Sequence, residues 1–450
     1  MFGKKSDRIF SKIIFHQQNL IKMKRILFLV LSLSSIYTFG QSSLKAKINS
    51  KAESIDQKVI TWRRDIHQNP ELGNREFKTA EKIAAHLRSL GIEVQEKVAY
   101  TGVVGILKGG KPGPVVLLRA DMDALPVTER GELAFKSNVI TEYNNQKTGV
   151  MHACGHDTHV AILMGVAEVL SSMKNDLAGT VKFCFQPAEE GAPAGEEGGA
   201  ALMIKQGVME NPKVDVAFGL HINSLTEVGK IRFRSGPEMA AADTYTLKIK
   251  GKQTHGASPW SGIDPIVTGS QIVMAFQTII SRNVDITENP AIVTVGAFNS
   301  GIRNNIIPEE AILIGTIRTF SDTQQKLIHR RMQEIATNIA ESAGATADLK
   351  INIGVPVTYN DPTLTEKMTP TLTALAGKDN ILSASLATGA EDFSFFGKKV
   401  PAFFFFLGGK SVGSTVAAPH HTPDFFIDDS GLGLGVKALC HLTVDYFEKK

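Results

Sequence analysis

Cys154 and His156 stand two positions apart with Asp157 beside them, in the run Met151-His152-Ala153-Cys154-Gly155-His156-Asp157. A thiol and an imidazole at that spacing, next to a carboxylate, are the ligand types of a divalent metal site. Residues two apart cannot share a helix face, so both belong to a turn. The apolar pattern that follows starts a helix near Asp157 or Thr158. A helix N-terminus favours a thiolate over a thiol. His152 and His159 flank the turn and are given no metal-binding role.

Further clusters supply complementary chemistry. Glu189 and Glu190, in Gln186-Pro187-Ala188-Glu189-Glu190-Gly191, are adjacent carboxylates on a loop and can point different ways. One can bind metal while the other takes a proton from a metal-activated water. His221 closes a nearly all-apolar strand, where a lone histidine is an ordinary core residue unless other ligands converge on it. His420 and His421 precede Thr422-Pro423, whose proline stiffens the turn, and one of the two can ligate while the other is solvated. Asp121 and Asp123 point the same way if their strand runs on through Met122. Asp123, nearer the strand end, is expected to orient a ligand or tune the base. His255, on the Gly-rich loop 251–259, and Asn305, in a turn before Pro308, are further candidates, with ordinary loop chemistry as the alternative.

The elements that must position these residues are those of an α/β fold. A helical pattern covers Gln57 to Leu90, and a second helix covers Thr158 to Met173. Val115-Val116-Leu117-Leu118, Gly179 to Phe185, Val214 to Leu220 and Pro401 to Leu407 are short apolar runs, suited to a mostly parallel sheet between helices. Asp121 and Asp123, Glu189 and Glu190, and His221 each follow such a run. Open α/β sheets bind ligands at the carboxyl ends of their strands, so residues far apart in sequence are expected to meet at one edge. Between these segments, strand Thr244–Ile249, helix Asp264–Ser281, strands Ala291–Phe298 and Ala311–Arg318, helix Asp322–Ser342 and strand Ala347–Ile353 follow the β-α-β-β-α-β order of a ferredoxin-like α+β unit. That unit is expected to be an inserted lid. The resulting division is an extension and signal peptide over 1–40, a catalytic domain built from the two segments 41–235 and 358–450, and the lid over 236–357 between them.

The formal charge of +4 is uneven: the first 40 residues hold seven Lys and Arg against one Asp, leaving 42 basic against 44 acidic side chains in the remainder. That remainder lacks the basic balance of a nucleic-acid binder. Met23-Lys24-Arg25 followed by Ile26 to Leu33 has the charged and apolar regions of a signal peptide, with a cleavage site near Thr38-Phe39-Gly40. Its apolar run is shorter than the roughly 20 residues of a spanning helix, so export without stable membrane insertion is expected. Of three cysteines, Cys184 and Cys440 lie in apolar runs and read as buried hydrophobes. No disulfide framework is expected.

In chain order, Arg119-Ala120-Asp121-Met122-Asp123-Ala124-Leu125-Pro126, Cys154-Gly155-His156-Asp157, Pro187-Ala188-Glu189-Glu190-Gly191, His255-Gly256-Ala257-Ser258-Pro259, Asn305-Ile306-Ile307-Pro308 and Gly389-Ala390-Glu391-Asp392-Phe393 resemble the hippurate hydrolase and auxin-conjugate amidohydrolase branch of the aminoacylase and carboxypeptidase metallopeptidases. The resemblance covers about residues 55 to 447. It implies that Cys154, His156, Glu190, His221 and His421 bind two divalent metals, Mn or Zn foremost and Co or Ni as alternatives, with Glu189 as general base. His421 is preferred over His420 because the family ligand stands two residues before proline. The resemblance further implies that His255 and Asn305 polarise the scissile carbonyl and hold the substrate from the lid, sometimes that of a partner in a homodimer, and that Arg318 meets the substrate carboxylate. Thr388 departs from the family, where Met is frequent. The implied reaction is hydrolysis of N-acyl or N-aroyl amino acids; the alternatives are a dipeptidase or carboxypeptidase acting on short peptides, and a binding protein that kept the fold and lost catalysis.

Overall fold

In the computed structural model, which describes residues 44–448, the run Val115-Val116-Leu117-Leu118 lies inside an 11-residue strand whose last eight positions are all buried. The expected signal peptide falls outside the described residues. Residues 55–448 form one compact unit. No helix among the described residues is long and apolar enough to cross a membrane.

After a helix that ends at residue 68 come α1 (Phe77–Ser89), β1 (Glu93–Val98), β2 (Gly102–Lys108), β3 (Lys111–Asp121), α2 (His156–Ser171), β4 (Ala178–Gln186), β5 (Val216–Glu227) and β6 (Ile231–Phe233). The chain then leaves the large sheet through β7 (Gly236–Met239), β8 (Ala241–Lys250), β9 (Thr254–His255), α3 (Pro265–Asn283), β10 (Ala291–Ser300), β11 (Ile306–Ile307), β12 (Glu310–Thr319), α4 (Asp322–Ser342), β13 (Thr346–Val355) and β14 (Thr358–Asn360). It returns with α5 (Pro362–Ala376), β15 (Ile381–Ser383), β16 (Ala402–Lys410) and α6 (Leu432–Glu448). The single helical pattern expected from Gln57 to Leu90 is two helices. Pro70 lacks an N–H and disfavours helical geometry at Asn69, so residues 69–76 form an irregular excursion.

The large sheet has the order β1-β2-β4-β3-β5-β16-β6-β15. Its centre, β4-β3-β5-β16, is parallel, and antiparallel pairs flank it. α2 and α6 pack on each other and on the central strands. Leu117, Cys184, Ala217, Phe404 and Phe406 join a buried apolar cluster with Leu202, Met203, Phe393 and Phe396. Cys184 and Cys440 are buried, and all three cysteines are free, as expected. The second sheet, β10-β12-β8-β13, is wholly antiparallel. β8 alternates buried and more exposed positions, the pattern of a sheet covered on one face, and the cover is α3 and α4. The fold is thus α/β, a mostly parallel sheet between helices with an inserted ferredoxin-like α+β domain. β7 and β14, where the chain crosses between the two sheets, pair with each other.

Candidate metal centre

The four central strands are parallel neighbours, so their carboxyl ends lie along one edge. Asp121 ends β3 and Gln186 ends β4, with Glu189 and Glu190 on the loop beyond it. His221 lies inside β5 rather than at its end, because the strand continues to Glu227. The Cys154 turn depends on Gly155, the residue before α2, whose φ is 92°. A Cβ there would stand 2.3 Å from Ile222 Cγ2, so glycine is required both for conformation and for space.

The last ligand candidates arrive from the loop before α6 and are stitched to that turn by backbone. The His421 N–H donates to Ala153 O at 2.8 Å, and Ser224 Oγ donates to Ala418 O at 2.7 Å. His420 has both ring nitrogens engaged: Nε2 accepts from the Ser224 N–H at 3.3 Å and Nδ1 lies 3.1 Å from Cys154 O. His421 instead directs Nε2 at Cys154 Sγ, 3.3 Å away, and at Glu190 Oε1, 3.0 Å away.

His221 and His156 are each held through one ring nitrogen and present the other. His221 Nδ1 donates to Ile222 O at 2.6 Å, which leaves Nε2 facing Cys154 Sγ at 3.4 Å. His156 Nδ1 meets Asp123 Oδ1 at 3.2 Å. Its Nε2 lies 3.7 Å from Asp121 Oδ2, 3.9 Å from Glu189 Oε2 and 4.0 Å from Glu190 Oε1. A histidine and carboxylate pairing of this kind fixes the imidazole tautomer and orients the opposite nitrogen. His159, by contrast, spends both nitrogens, one on Asp121 and one on the Ile222 N–H.

The atoms these constraints leave over test whether cations fit. His156 Nε2 is buried and makes no hydrogen bond, a costly state for a polar atom unless something else satisfies it. Ligand atoms of Cys154, His156 and Glu190 lie within 4.8 Å of one another, as do those of Cys154, His221 and His420. One sulfur, several imidazole nitrogens and a carboxylate around such atoms make a donor set for borderline-soft divalent ions.

Asp121 and Asp123 do not act in parallel, since β3 stops at Asp121 and Asp123 turns to its own partners. Asp123 Oδ2 accepts the Glu190 N–H at 3.0 Å while its other oxygen meets His156. Asp121 belongs to a buried network centred on Arg119, which donates to Asp121 Oδ2 at 2.6 Å, Gln186 Oε1 at 2.9 Å and Asp392 Oδ1 at 2.8 Å, and lies 2.8 Å from Glu391 Oε1. Glu189 abuts this network, its Oε1 accepting the Asp392 N–H at 3.4 Å.

Electrostatics separate the two adjacent glutamates. Burial, then Glu391, Asp392 and Glu190, hold the Glu189 carboxyl well above its ordinary pKa. Burial also opposes ionisation of Glu190, but the neighbouring His421 and His156 outweigh it and lower its pKa. Two carboxylates with pKa values pushed apart can divide acid-base and ligand work. Burial and then Glu190 push the Cys154 thiol up, against the opposing pull of His156.

His255 and Asn305 sit together on the lid: the Gly256 N–H donates to Asn305 O at 2.8 Å, and β9 pairs with β11. Both are exposed, and among the described residues no hydrogen bond or ion pair joins them to the cluster. Arg318 lies on β12, donating to Thr316 Oγ1 at 2.6 Å. The Arg119 network is not legible as a unit in the sequence, although the strings around Asp121 and around Glu391-Asp392 contain it.

Peptidase family M20/M25/M40 matches residues 117–445. The chain is 40% identical over 408 residues, 90% of its length and 100% of the relative's, to thermostable carboxypeptidase 1 of Saccharolobus solfataricus. It is 35% identical over 417 residues, 91% of its length and 90% of the relative's, to the IAA-amino acid hydrolase ILR1-like 2 of Arabidopsis thaliana. The crystal structure of the Bacillus subtilis YXEP protein, described as a dinuclear metal binding peptidase from the M20 family, superposes with a TM-score of 0.74 at 32% identity, covering 88% of this chain and 100% of that one. The chain belongs to peptidase family M20/M25/M40, in its aminoacylase and IAA-amino acid hydrolase branch, and is a hydrolase of amide or peptide bonds.

Proposed function

We propose that the protein hydrolyses the amide bond of N-acyl or N-aroyl amino acids. The observation that carries this is the convergence of the Cys154 thiol, His156 Nε2, the Glu190 carboxylate, His221 Nε2 and His421 Nε2 at one sheet edge, with Glu189 beside them. These five side chains would hold two divalent cations, and the sulfur leans the choice among Mn, Zn, Co and Ni toward the softer ions. When bound, such ions supply Lewis acidity toward a scissile carbonyl and toward water.

The chain's own residues carry the remaining roles. Glu189 takes a proton from the attacking water and delivers it to the leaving amine nitrogen. Asp123 fixes His156 by its ring and Glu190 by its backbone. His255 and Asn305 supply polar groups for the carbonyl and the substrate, and Arg318 pairs with the amino-acid carboxylate. The exposure of His255 and Asn305 on the lid supports their delivery to a site by that domain, and Ile266, Val267 and Met274, exposed on α3, offer a surface for a homodimer through it. Export by the N-terminal segment belongs to the same proposal, and the N-terminal sequence of the mature protein tests it.

A carboxypeptidase or dipeptidase acting on short peptides is the second reading, favoured by the 40% identity to a protein named thermostable carboxypeptidase 1. A panel of N-acetyl, N-benzoyl and dipeptide substrates, assayed with and without chelator, separates the two. Preference for acyl amino acids is expected, and turnover confined to peptides would overturn the assignment.

A further inference from the structure

Glu76 lies in the irregular excursion 69–76 and is fully buried, with 0% of its surface exposed. Its Oε1 accepts the Ala188 N–H at 2.9 Å, and its Oε2 accepts the Thr101 hydroxyl at 2.5 Å. Ala188 has a φ of 49°, a conformation that a residue with a Cβ keeps only where its surroundings over-determine it. The next residue is Glu189, and the one after it donates its N–H to Asp123 Oδ2 at 3.0 Å. The peptide N–H groups on either side of Glu189 are therefore each held by a buried carboxylate.

The same excursion grips the loop further on. Asn74 Nδ2 donates to Glu196 Oε2 and to Glu197 O, both at 3.0 Å, and Arg75 pairs with Glu196. A Cβ on Gly73 would stand 3.0 Å from Gly191 O and 3.2 Å from Ala188 Cα, so the two segments are in close contact. Burial, then Asp123, raises the Glu76 carboxyl to about 8. A carboxyl kept at such a site is retained against its own desolvation.

We propose that Glu76 is a positioning residue for the hydrolytic reaction: by clamping the left-handed Ala188 turn it sets the direction in which Glu189 leaves the backbone. Asp123 sets Glu190 from the other side, so the adjacent glutamates diverge toward different tasks. The inference rests on the reading of Glu189 as general base.

The test is steady-state kinetics and metal content of the full-length holoenzyme. Misplacing a reacting group by about 1 Å costs on the order of 100-fold, so Glu76→Ala is expected to lower kcat about 10- to 100-fold, with KM within about twofold. Metal content should stay at the wild-type level, because Asp123 still holds Glu190. Glu76→Gln should recover most of the loss, since its amide oxygen accepts the Ala188 N–H and its amide nitrogen donates to the Thr101 hydroxyl. Undiminished kcat in Glu76→Ala, or a Gln variant no better than Ala, overturns the proposal. If Glu76→Ala does not fold, Thr101→Val decides: a several-fold fall in kcat at an unchanged Tm is expected, and an unchanged kcat overturns it. Glu189→Gln run in parallel keeps the two questions apart. An active Glu189→Gln sinks the base assignment itself, whereas an inactive one beside a fully active Glu76→Ala sinks only the role of Glu76.

Discussion

The Nε2 of His421 lies 3.3 Å from the Sγ of Cys154, across 267 positions of sequence. The approach is built into the backbone, through the His421 N–H on Ala153 O and the His420 ring between Ser224 N and Cys154 O. Closing so long a loop costs entropy, and the stitching bonds help offset it. What the closure achieves is a sulfur, an imidazole and the Glu190 carboxylate on one small volume.

Replacing Cys154 by Ala should therefore empty the centre rather than unfold the chain. Outer partners of metal ligands already cost about 10- to 100-fold in affinity when removed, and a direct ligand should cost at least as much. Elemental analysis of purified Cys154→Ala is expected to find at least one ion fewer per subunit. Full occupancy at wild-type affinity would exclude the thiol as a ligand.

Glu189→Gln keeps the size of the side chain and removes the base. General acid-base catalysis contributes about 100- to 10,000-fold, so kcat should fall by that order while metal content stays at the wild-type level. Loss of metal instead would make Glu189 a ligand.

Asp123→Asn tests the support beneath two proposed ligands at once, because Asp123 meets His156 Nδ1 and the Glu190 N–H. A loss of about 10- to 100-fold in metal affinity or activity is expected. Titration of the apoprotein with metal measures it, and a wild-type isotherm with wild-type activity contradicts the assignment.

If the lid of one copy completes the site of another, His255→Ala and Glu189→Gln are each inactive alone but complement when mixed. Heterodimers then contain one site with both residues intact, and activity should rise above that of either parent after subunit exchange. No rise, with mixed dimers present, places His255 at the site of its own chain or at none.

Asp243 ties β8 of the lid to His329, Gln325 and the Gly354 N–H. Burial opposes its ionisation, but these donors outweigh it and lower its pKa below the ordinary value of 3.8. A carboxylate with a depressed folded-state pKa contributes stability that is present above that ordinary value and lost as pH falls through the folded one. Asp243→Asn is expected to cost about 1 to 3 kcal/mol at neutral pH. Denaturation curves should show the gap from wild type closing below about pH 4, and a gap independent of pH would refute the linkage.

The common edge was legible because Asp121, Glu189, Glu190 and His221 each follow an apolar run, and a parallel sheet turns that order into proximity. The lid was legible from the β-α-β-β-α-β order of its elements. The rest depends on contacts that carry no local pattern. β5 runs on past His221 to Glu227, but its later inward positions are the polar Ser224 and Thr226, so the apolar run ends at Leu220 before the strand does. The break after the helix that ends at residue 68 was signalled by Pro70, yet its use, delivering Glu76 to Ala188, appears only in three dimensions. Arg119 and Asp392 are 273 positions apart, and nothing in either string shows that they share a hydrogen bond.

The most direct test is an anomalous-scattering crystal structure of the purified holoenzyme. Two metal peaks are expected, bonded to Cys154, His156, Glu190, His221 and His421 at roughly 2.0 to 2.3 Å, with Glu189 outside the coordination shell. Peaks centred instead on Asp121 and His159, or a thiol of Cys154 free of metal, would contradict this centre.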